Sequence, residues 1–134
     1  MIPTSTGAAD SIGLVIPELA GKMSGLAVRA PVGNVSLLDL ACRLENPASA
    51  EDLNAAFRAA AKGEMWEILA VSDAPLVSSD FNGRPESAIV DSAQTRILGG
   101  GKGRFAKILA WYDNEWGFAR RMLDVAAEMG RTMA

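Results

Sequence analysis

A change of periodicity near the C-terminus constrains the fold more than any other stretch of the chain. Residues 104–112 are rich in apolar, β-branched and aromatic side chains, whereas the apolar residues that follow are spaced three and four apart. The pattern predicts a strand over 104–112 and a helix over 115–129, with Gly130 ending the helix and Asp113 or Asn114 capping its start. The rest of the chain must therefore fold around a strand that runs directly into a helix.

Length and composition indicate one globular domain spanning 1–134. The 134 residues are 49% hydrophobic and 22% charged, which suffices for a packed core. A net charge of −3 with scattered basic residues argues against a nucleic-acid partner. No apolar run reaches the roughly 20 residues that span a bilayer, and no signal-peptide pattern begins the chain. We therefore expect no membrane partner and a cytoplasmic location.

The absence of histidine restricts the available chemistry. It removes the commonest general base, and with a single cysteine the chain cannot build a Cys/His zinc site. Cys42 lies on the apolar face of a predicted strand, where we expect a packed core thiol rather than a nucleophile. The sequence by itself assigns no catalytic residue and no metal site.

Periodicity and turn signals also predict the remaining elements. In chain order these are a helix ending near Ile16 and capped by Thr4, Ser5 or Thr6, strands over 25–31 and 35–44 separated by a turn at Gly33-Asn34, a helix opened by Ser49 and stopped by Gly63, and strands over 66–71, 88–91 and 95–98. Strands dominate the middle of the chain. The predicted fold class is α+β, a mostly antiparallel sheet with helices packed on one face.

Three polar or glycine-rich stretches each allow a functional and a structural interpretation. The Thr-Ser-Thr-Gly run at 4–7 is either an anion site at a helix start or a simple cap. Ser78-Ser79-Asp80 is interpreted as a turn, because no histidine is present to serve as the base of a hydrolase. The glycine run 99–103 is interpreted as a hairpin tip, because it joins two predicted strands and lacks the Ser or Thr that follows lysine in a phosphate-binding loop.

Several motifs, taken in order and spacing, closely resemble the C-terminal part of the catalytic domain of phosphorylating glyceraldehyde-3-phosphate dehydrogenase. The motifs are Pro3-Thr4-Ser5-Thr6-Gly7-Ala8-Ala9, Arg29-Ala30-Pro31 with Asn34-Val35-Ser36, Ser78-Ser79-Asp80-Phe81, and Trp111-Tyr112-Asp113-Asn114-Glu115-Trp116-Gly117. The resemblance covers essentially the whole chain. Gln94-Thr95-Arg96 and the Asn-Glu-Trp-Gly-Phe form also resemble the related erythrose-4-phosphate dehydrogenase.

The resemblance implies roles for four residues. In the family a Thr-Gly pair at a helix start binds the inorganic phosphate, which falls on Thr6 and Gly7, and an arginine in the next strand binds substrate phosphate, which falls on Arg29. The asparagine of the strand-to-helix junction holds the nicotinamide carboxamide of NAD or NADP, and Asn114 matches it. The family often has tyrosine where this chain has Phe118, so ring packing without a hydroxyl contact is implied there.

The family's cysteine nucleophile in a Ser-Cys-Thr-Thr-Asn motif, its histidine base and its Rossmann NAD-binding domain do not occur in this sequence. We therefore expect a truncated, partial NAD-dependent dehydrogenase. It would convert glyceraldehyde 3-phosphate to 1,3-bisphosphoglycerate only when the missing parts are supplied, and it would be inactive alone. Its expected partners are a phosphorylated aldehyde, inorganic phosphate, and either further copies in a homo-oligomer or the missing N-terminal part. The alternatives are a non-catalytic remnant or assembly module, and a part of erythrose-4-phosphate dehydrogenase.

Overall fold

A computed structural model describes residues 1–99 and 101–133, and the chain forms two compact units, Met1–Gly33 and Asn34–Ala134. The first unit contains strand β1 (Ile2–Ser5), helix α1 (Ala8–Val15), a 3-10 turn (Pro17–Leu19) and strand β2 (Leu26–Arg29). The helix ends before Pro17 as predicted, because proline has no N–H to donate and its ring clashes with the preceding turn.

Strands β1 and β2 pair antiparallel and form a two-stranded sheet of their own. Strand β1 has no signal in the sequence, because all four of its residues are exposed and show no alternation of apolar and polar side chains. The turn at Gly33-Asn34 consequently precedes a strand of a different sheet and does not close a hairpin.

The second unit contains the main sheet. Its elements are β3 (Ser36–Ala48), α2 (Ala50–Lys62), β4 (Leu69–Ser72), a 3-10 turn (Ser78–Phe81), β5 (Ala88–Asp91), a 3-10 turn (Ser92–Gln94), β6 (Arg96–Leu98), β7 (Gly103–Tyr112) and α3 (Asn114–Met133). The strand order is β3-β7-β5-β4, and β6 also pairs with β7. Every pairing is antiparallel except that of β4 with β5. The α+β class with a mostly antiparallel sheet is confirmed, and the sheet is mixed because of this one pair.

Strand β7 lies at the centre of the sheet and supplies most of the core. Its alternate residues Ala106, Ile108 and Ala110 are buried together with Val90 of β5. Leu40 and Cys42 of β3 pair with Ile108 and Ala106 and pack on the same cluster. Cys42 is half-buried there, as expected for a packed thiol.

Helix α2 covers this core with Leu53 and Phe57. Its predicted boundaries are confirmed, since Ser49 is the N-cap and Gly63 the C-cap. The Ser49 hydroxyl accepts from the backbone N–H of Asp52, and the Asp52 carboxylate accepts from the backbone N–H of Ser49. This reciprocal capping box satisfies two of the N–H groups that a helix start leaves without a partner.

Three predicted boundaries are wrong by three residues or more. Strand β3 continues to Ala48, beyond the predicted end at residue 44. The last helix does not end at Gly130 but continues to Met133. An ion pair between Arg131 and Glu128 supports the extra turn, and a helical glycine costs only about 1 kcal/mol. Strand β4 begins at Leu69 and not at Trp66, because the preceding turn places Glu67 at φ 60° and leaves the Trp66 ring two-thirds exposed.

The glycine-rich stretch does connect two antiparallel strands, β6 and β7. Gly99 at φ 105° and Gly101 at φ 71° adopt the left-handed conformation that disfavours a side chain. Gly100, between these two glycines in the predicted hairpin tip, lies outside the described residues.

Candidate functional site

Thr6 and Gly7 lie at the start of helix α1. Gly7 is the N-cap residue, and the Thr6 hydroxyl oxygen accepts from the backbone N–H of Ala8 at 3.2 Å. The Ser11 hydroxyl donates to the carbonyl of Gly7 at 3.0 Å. The other N–H groups of the first turn and the Thr6 hydroxyl can therefore donate to an anion, which the positive end of the helix dipole also favours.

Arg29 is the last residue of β2 and is exposed. It pairs with Ile2 at the end of β1 that lies farthest from α1, whereas Ser5 pairs with Leu26 at the near end. Thr6 follows Ser5 and lies beyond the end of β1, so Thr6 and Arg29 are near opposite ends of this two-stranded sheet. Alternation along β1 places Ile2 and Thr4 on one face of the sheet, together with Arg29, which pairs with Ile2.

Asn114 is the first residue of helix α3, directly after β7. It is exposed and opens on a shallow cleft of about 280 Å³ at the strand-to-helix junction. The lining residues are Ser87, Tyr112, Asp113, Asn114, Gly117, Phe118 and Arg121. Among the described residues, the Asn114 amide makes no hydrogen bond, so both its donor and its acceptor face solvent.

Asp113 is the N-cap of α3 and is buried, with 4% of its surface exposed. Its Oδ1 accepts from the backbone N–H of Trp116 at 3.1 Å. Its Oδ2 accepts from the backbone N–H of Gly83 at 2.8 Å and from the Asn34 side chain at 2.9 Å. These hydrogen bonds, led by that from Gly83, lower the pKa of the Asp113 carboxyl below its ordinary value and outweigh the opposing effect of burial.

Helix α3 also lines the cleft with Phe118 and Arg121. The Arg121 guanidinium donates to the Glu67 carbonyl at 3.2 Å, to the Ser87 hydroxyl at 3.2 Å and to Asp124 at 2.8 Å. Phe118 lines the cleft with two-thirds of its surface exposed. The ring is therefore available for packing against a ligand, and it brings no hydroxyl group.

The structure distributes the four sequence-predicted residues between the two units. The first unit contains Thr6, Gly7 and Arg29, which lie on the two-stranded ribbon of β1 and β2 or at the start of α1. The second unit contains Asn114. Sequence reasoning recognised Asp113 only as a possible cap. Its contact with Asn34, 79 positions away in the chain, was not foreseen. The Asn-Val-Ser motif at 34–36 was the only available signal.

The described residues contain no cluster of three or more acidic or cysteine side chains that could hold a metal ion. No helix in the described part of the chain is both long and apolar enough to cross a membrane.

Comparison with known proteins identifies related sequences. Residues 1–114 match the family model described as glyceraldehyde 3-phosphate dehydrogenase, C-terminal domain. The chain is similar to the glyceraldehyde-3-phosphate dehydrogenase of Zymomonas mobilis, with 48% identity over 99% of this chain and 39% of that protein. It is also 50% identical to glyceraldehyde-3-phosphate dehydrogenase 1 of Bacillus cereus over 96% of this chain and 38% of the relative. For the Pseudomonas aeruginosa enzyme, the identity is 52% over 94% of this chain and 36% of the relative.

The chain thus spans about two fifths of the length of these relatives, and the matched part is their C-terminal part. The match covers both units, including the ribbon with Thr6 and Arg29 and the junction up to Asn114. We conclude that this chain belongs to the glyceraldehyde-3-phosphate dehydrogenase family.

Proposed function

We propose that this chain is the phosphate-binding and nicotinamide-orienting part of an NAD-dependent phosphorylating aldehyde dehydrogenase. The reaction is the oxidation of glyceraldehyde 3-phosphate to 1,3-bisphosphoglycerate. Thr6 and Gly7 bind inorganic phosphate, Arg29 binds the substrate phosphate and Asn114 binds the nicotinamide carboxamide. A second polypeptide region supplies the nucleophile, the base and the main cofactor-binding domain.

The spacing of the anion-binding groups supports two phosphate positions. Thr6 and Arg29 lie near opposite ends of the two-stranded sheet formed by β1 and β2, an arrangement that suits two different anions better than one. Phosphate at Thr6 meets backbone and hydroxyl donors, whereas Arg29 offers a planar guanidinium that binds phosphate oxygens through two hydrogen bonds. A reaction in which inorganic phosphate attacks the acyl group of an already phosphorylated substrate requires two such positions.

The position of Asn114 is the observation that carries the cofactor assignment. Its amide lines the junction cleft and makes no hydrogen bond to the described residues, so it fits the donor and acceptor of a carboxamide. When bound, NAD supplies the acceptor for the hydride that leaves the substrate. The role of this chain is to orient the carboxamide end, with the Phe118 ring packing beside it.

The test is a chimeric enzyme in which this chain replaces the matching segment of the Zymomonas mobilis relative. Phosphate-dependent formation of NADH from glyceraldehyde 3-phosphate is measured for the chimera and for variants. Arg29→Ala should raise KM for the aldehyde at least 10-fold, and Thr6→Ala should raise KM for inorganic phosphate. Asn114→Ala should raise KM for NAD.

Arg43→Ala, which removes an arginine from β3, is the matched control and should change none of these constants. An Arg29→Ala enzyme with unaltered phosphate-dependent activity would remove the role assigned to Arg29.

A non-catalytic assembly module is the second candidate, and the complete lack of histidine favours it. Turnover of glyceraldehyde 3-phosphate by the 134-residue chain alone would exclude that candidate. We expect no turnover, because this chain carries neither the histidine base nor the cysteine motif of the nucleophile.

Association with other polypeptides is part of both candidates. Sedimentation of the purified chain at several concentrations measures its self-association, and addition of the N-terminal part of the Zymomonas mobilis relative measures hetero-association. The proposed enzyme predicts a complex with the N-terminal part, and the assembly module predicts homo-oligomers without it. We further infer that the protein works in the cytoplasm.

A further inference from the structure

The buried carboxylate directly before Asn114 joins three segments that are far apart in the sequence. Asp113 accepts hydrogen bonds from Asn34, from the backbone of Gly83 and from the backbone of Trp116. The Asn34 amide donates to a second side chain as well, the Asn82 carbonyl oxygen at 3.0 Å. The start of β3, the turn before β5 and the start of α3 are thereby connected on one carboxylate.

The residue after Asn34 shows that this arrangement is imposed on the backbone. Val35 has φ 69°, a conformation that a β-branched side chain strongly disfavours. It is nevertheless buried, in a cluster with Phe81 and Ile89. The Phe81 ring stacks on Trp111 with centroids 5.4 Å apart, next to the same junction. Strain of this kind persists only where the surroundings fix the conformation, and it occurs most often at functional sites.

Asn114 depends on these contacts for its position. Its amide makes no hydrogen bond to the described residues, so the position of its backbone sets the region that the amide can reach. That backbone is bonded directly to Asp113 and begins the helix that Asp113 caps. A small displacement of Asp113 would therefore move the Asn114 amide relative to the sheet.

We propose that Asn34 and Asp113 act as positioning residues that hold Asn114 in the orientation required to bind the nicotinamide carboxamide. This inference rests on the cofactor role proposed above for Asn114. Asn34 holds the Asp113 carboxylate from the β3 side, and Gly83 holds it from the turn before β5. A group held from two sides keeps its orientation when a ligand contacts the neighbouring residue, which reduces the entropy lost on binding.

The variant Asn34→Ala tests the proposal, because it removes one donor to Asp113 and leaves the cap of α3 intact. Asn54→Ala is the matched control. Asn54 is also an asparagine that joins distant segments, donating to the Ser92 carbonyl at 3.0 Å and accepting from the Thr95 hydroxyl at 2.7 Å. It contacts none of the groups around Asp113, so it reproduces the loss of a structural amide without the proposed positioning effect.

The first measurement is NMR spectroscopy of the 134-residue chain, at a temperature where thermal melting shows each variant fully folded. Asn34→Ala should shift the backbone and side-chain amide signals of Asn114 and increase the mobility of its side chain, whereas Asn54→Ala should leave them in place. Unchanged Asn114 signals in Asn34→Ala would overturn the proposal, and so would equal changes in the control.

The second measurement is steady-state kinetics in the chimeric enzyme. Asn34→Ala should raise KM for NAD about 5- to 10-fold with little change in kcat, and Asn54→Ala should leave both KM for NAD and kcat unchanged.

Asn114→Ala in the same enzyme separates the two proposals. If Asn114→Ala leaves KM for NAD unaltered, the cofactor role of Asn114 fails and the positioning proposal falls with it. If Asn114→Ala raises KM while Asn34→Ala does not, the cofactor role stands and only the positioning proposal is overturned.

Discussion

The carboxylate of Asp113 accepts more hydrogen bonds than its neutral analogue could. We predict that Asp113→Asn lowers the free energy of unfolding by about 2–3 kcal/mol, because one amide oxygen cannot replace both carboxylate oxygens. The new NH₂ group faces either both the Asn34 and Gly83 donors or the Trp116 N–H. Urea denaturation monitored by tryptophan fluorescence measures the loss. The control is Asp39→Asn, whose exposed ion pair with Lys107 at 2.9 Å should contribute less than about 1 kcal/mol. Equal losses in the two variants would show that Asp113 has no special structural role.

The backbone of Val35 reverses the usual ranking of alanine and glycine. Both Val35→Ala and Val35→Gly remove buried methyl groups, but only glycine adopts φ 69° without steric cost, a difference of about 1–2 kcal/mol. Val35→Gly should therefore be at least as stable as Val35→Ala. Val90 is buried in a regular strand, and there glycine should be less stable than alanine by about 0.5–1 kcal/mol. Thermal melting of the four variants gives the comparison, and the same order at both sites would contradict it.

Residue-level prediction from the sequence succeeds where a role is local. The cap of α2 could be predicted because Ser49 and Asp52 lie three positions apart and satisfy each other. The hydrogen bond between Asn34 and Asp113 could not, because it depends on how β3 aligns beside β7. The same limit explains why Thr6 and Arg29 could be assigned only by resemblance to a family, whereas the pairing of Arg29 with Ile2 is set by the β1–β2 register.

At the scale of elements, the cap of helix α2 gives a pH dependence with a defined sign. The backbone hydrogen bond from Ser49, followed by the contact with Lys102, lowers the pKa of Asp52 from 3.8 to about 2. Because the folded pKa is below the unfolded one, the stabilisation by Asp52 is complete above about pH 4 and is lost as the pH falls towards 2. The difference in stability between the parent chain and Asp52→Asn should therefore be constant from pH 5 to 7 and shrink below pH 4. Urea titrations at each pH measure it, and a difference that grows on acidification would refute the assignment.

Helix α3 contains two glycines with opposite surroundings. A Cβ at Gly130 would meet no atom within 4 Å, so Gly130→Ala should stabilise the chain by up to about 1 kcal/mol through helix propensity. A Cβ at Gly117 would lie 3.3 Å from the carbonyl oxygen of Glu86. This contact is tight, and because the oxygen belongs to the backbone, the backbone would have to shift to relieve it. We expect Gly117→Ala to be less stable than Gly130→Ala by at least about 1 kcal/mol in thermal melts. Equal gains in the two variants would show that α3 can move away from the turn at Glu86 without cost.

Element prediction failed where apolar spacing was absent or competed with backbone conformation. Strand β1 is exposed along its whole length, so alternation could not reveal it. Trp66 belongs to an apolar run with the pattern of a strand. Because the backbone at Glu67 is left-handed, β4 begins only at Leu69. The paired parts of the long strands β3 and β7 were predicted, because burial of one face fixes their period, but the last four residues of β3 were not.

At the scale of the whole molecule, the two units differ in how they are stabilised. The second unit has a buried core on β7, whereas every residue of Met1–Gly33 is exposed or half-buried. A two-stranded ribbon and a single short helix bury too little apolar surface to be stable alone. Thr6 and Arg29, the residues proposed to bind phosphate, thus lie in the unit with the weaker internal packing.

Native-state hydrogen exchange tests this difference directly. Backbone amides of Ala106, Ile108 and Ala110 in β7 should exchange only through global unfolding. Amides of α1 and of the β1–β2 ribbon should open with a free energy at least about 2 kcal/mol lower, because little buried surface is lost when they do. If the proposed complex with an N-terminal polypeptide forms around the phosphate groups, adding that polypeptide with inorganic phosphate should slow exchange in the first unit and leave β7 unchanged. Equal protection of both units in the isolated chain would mean that Met1–Gly33 unfolds only together with the core.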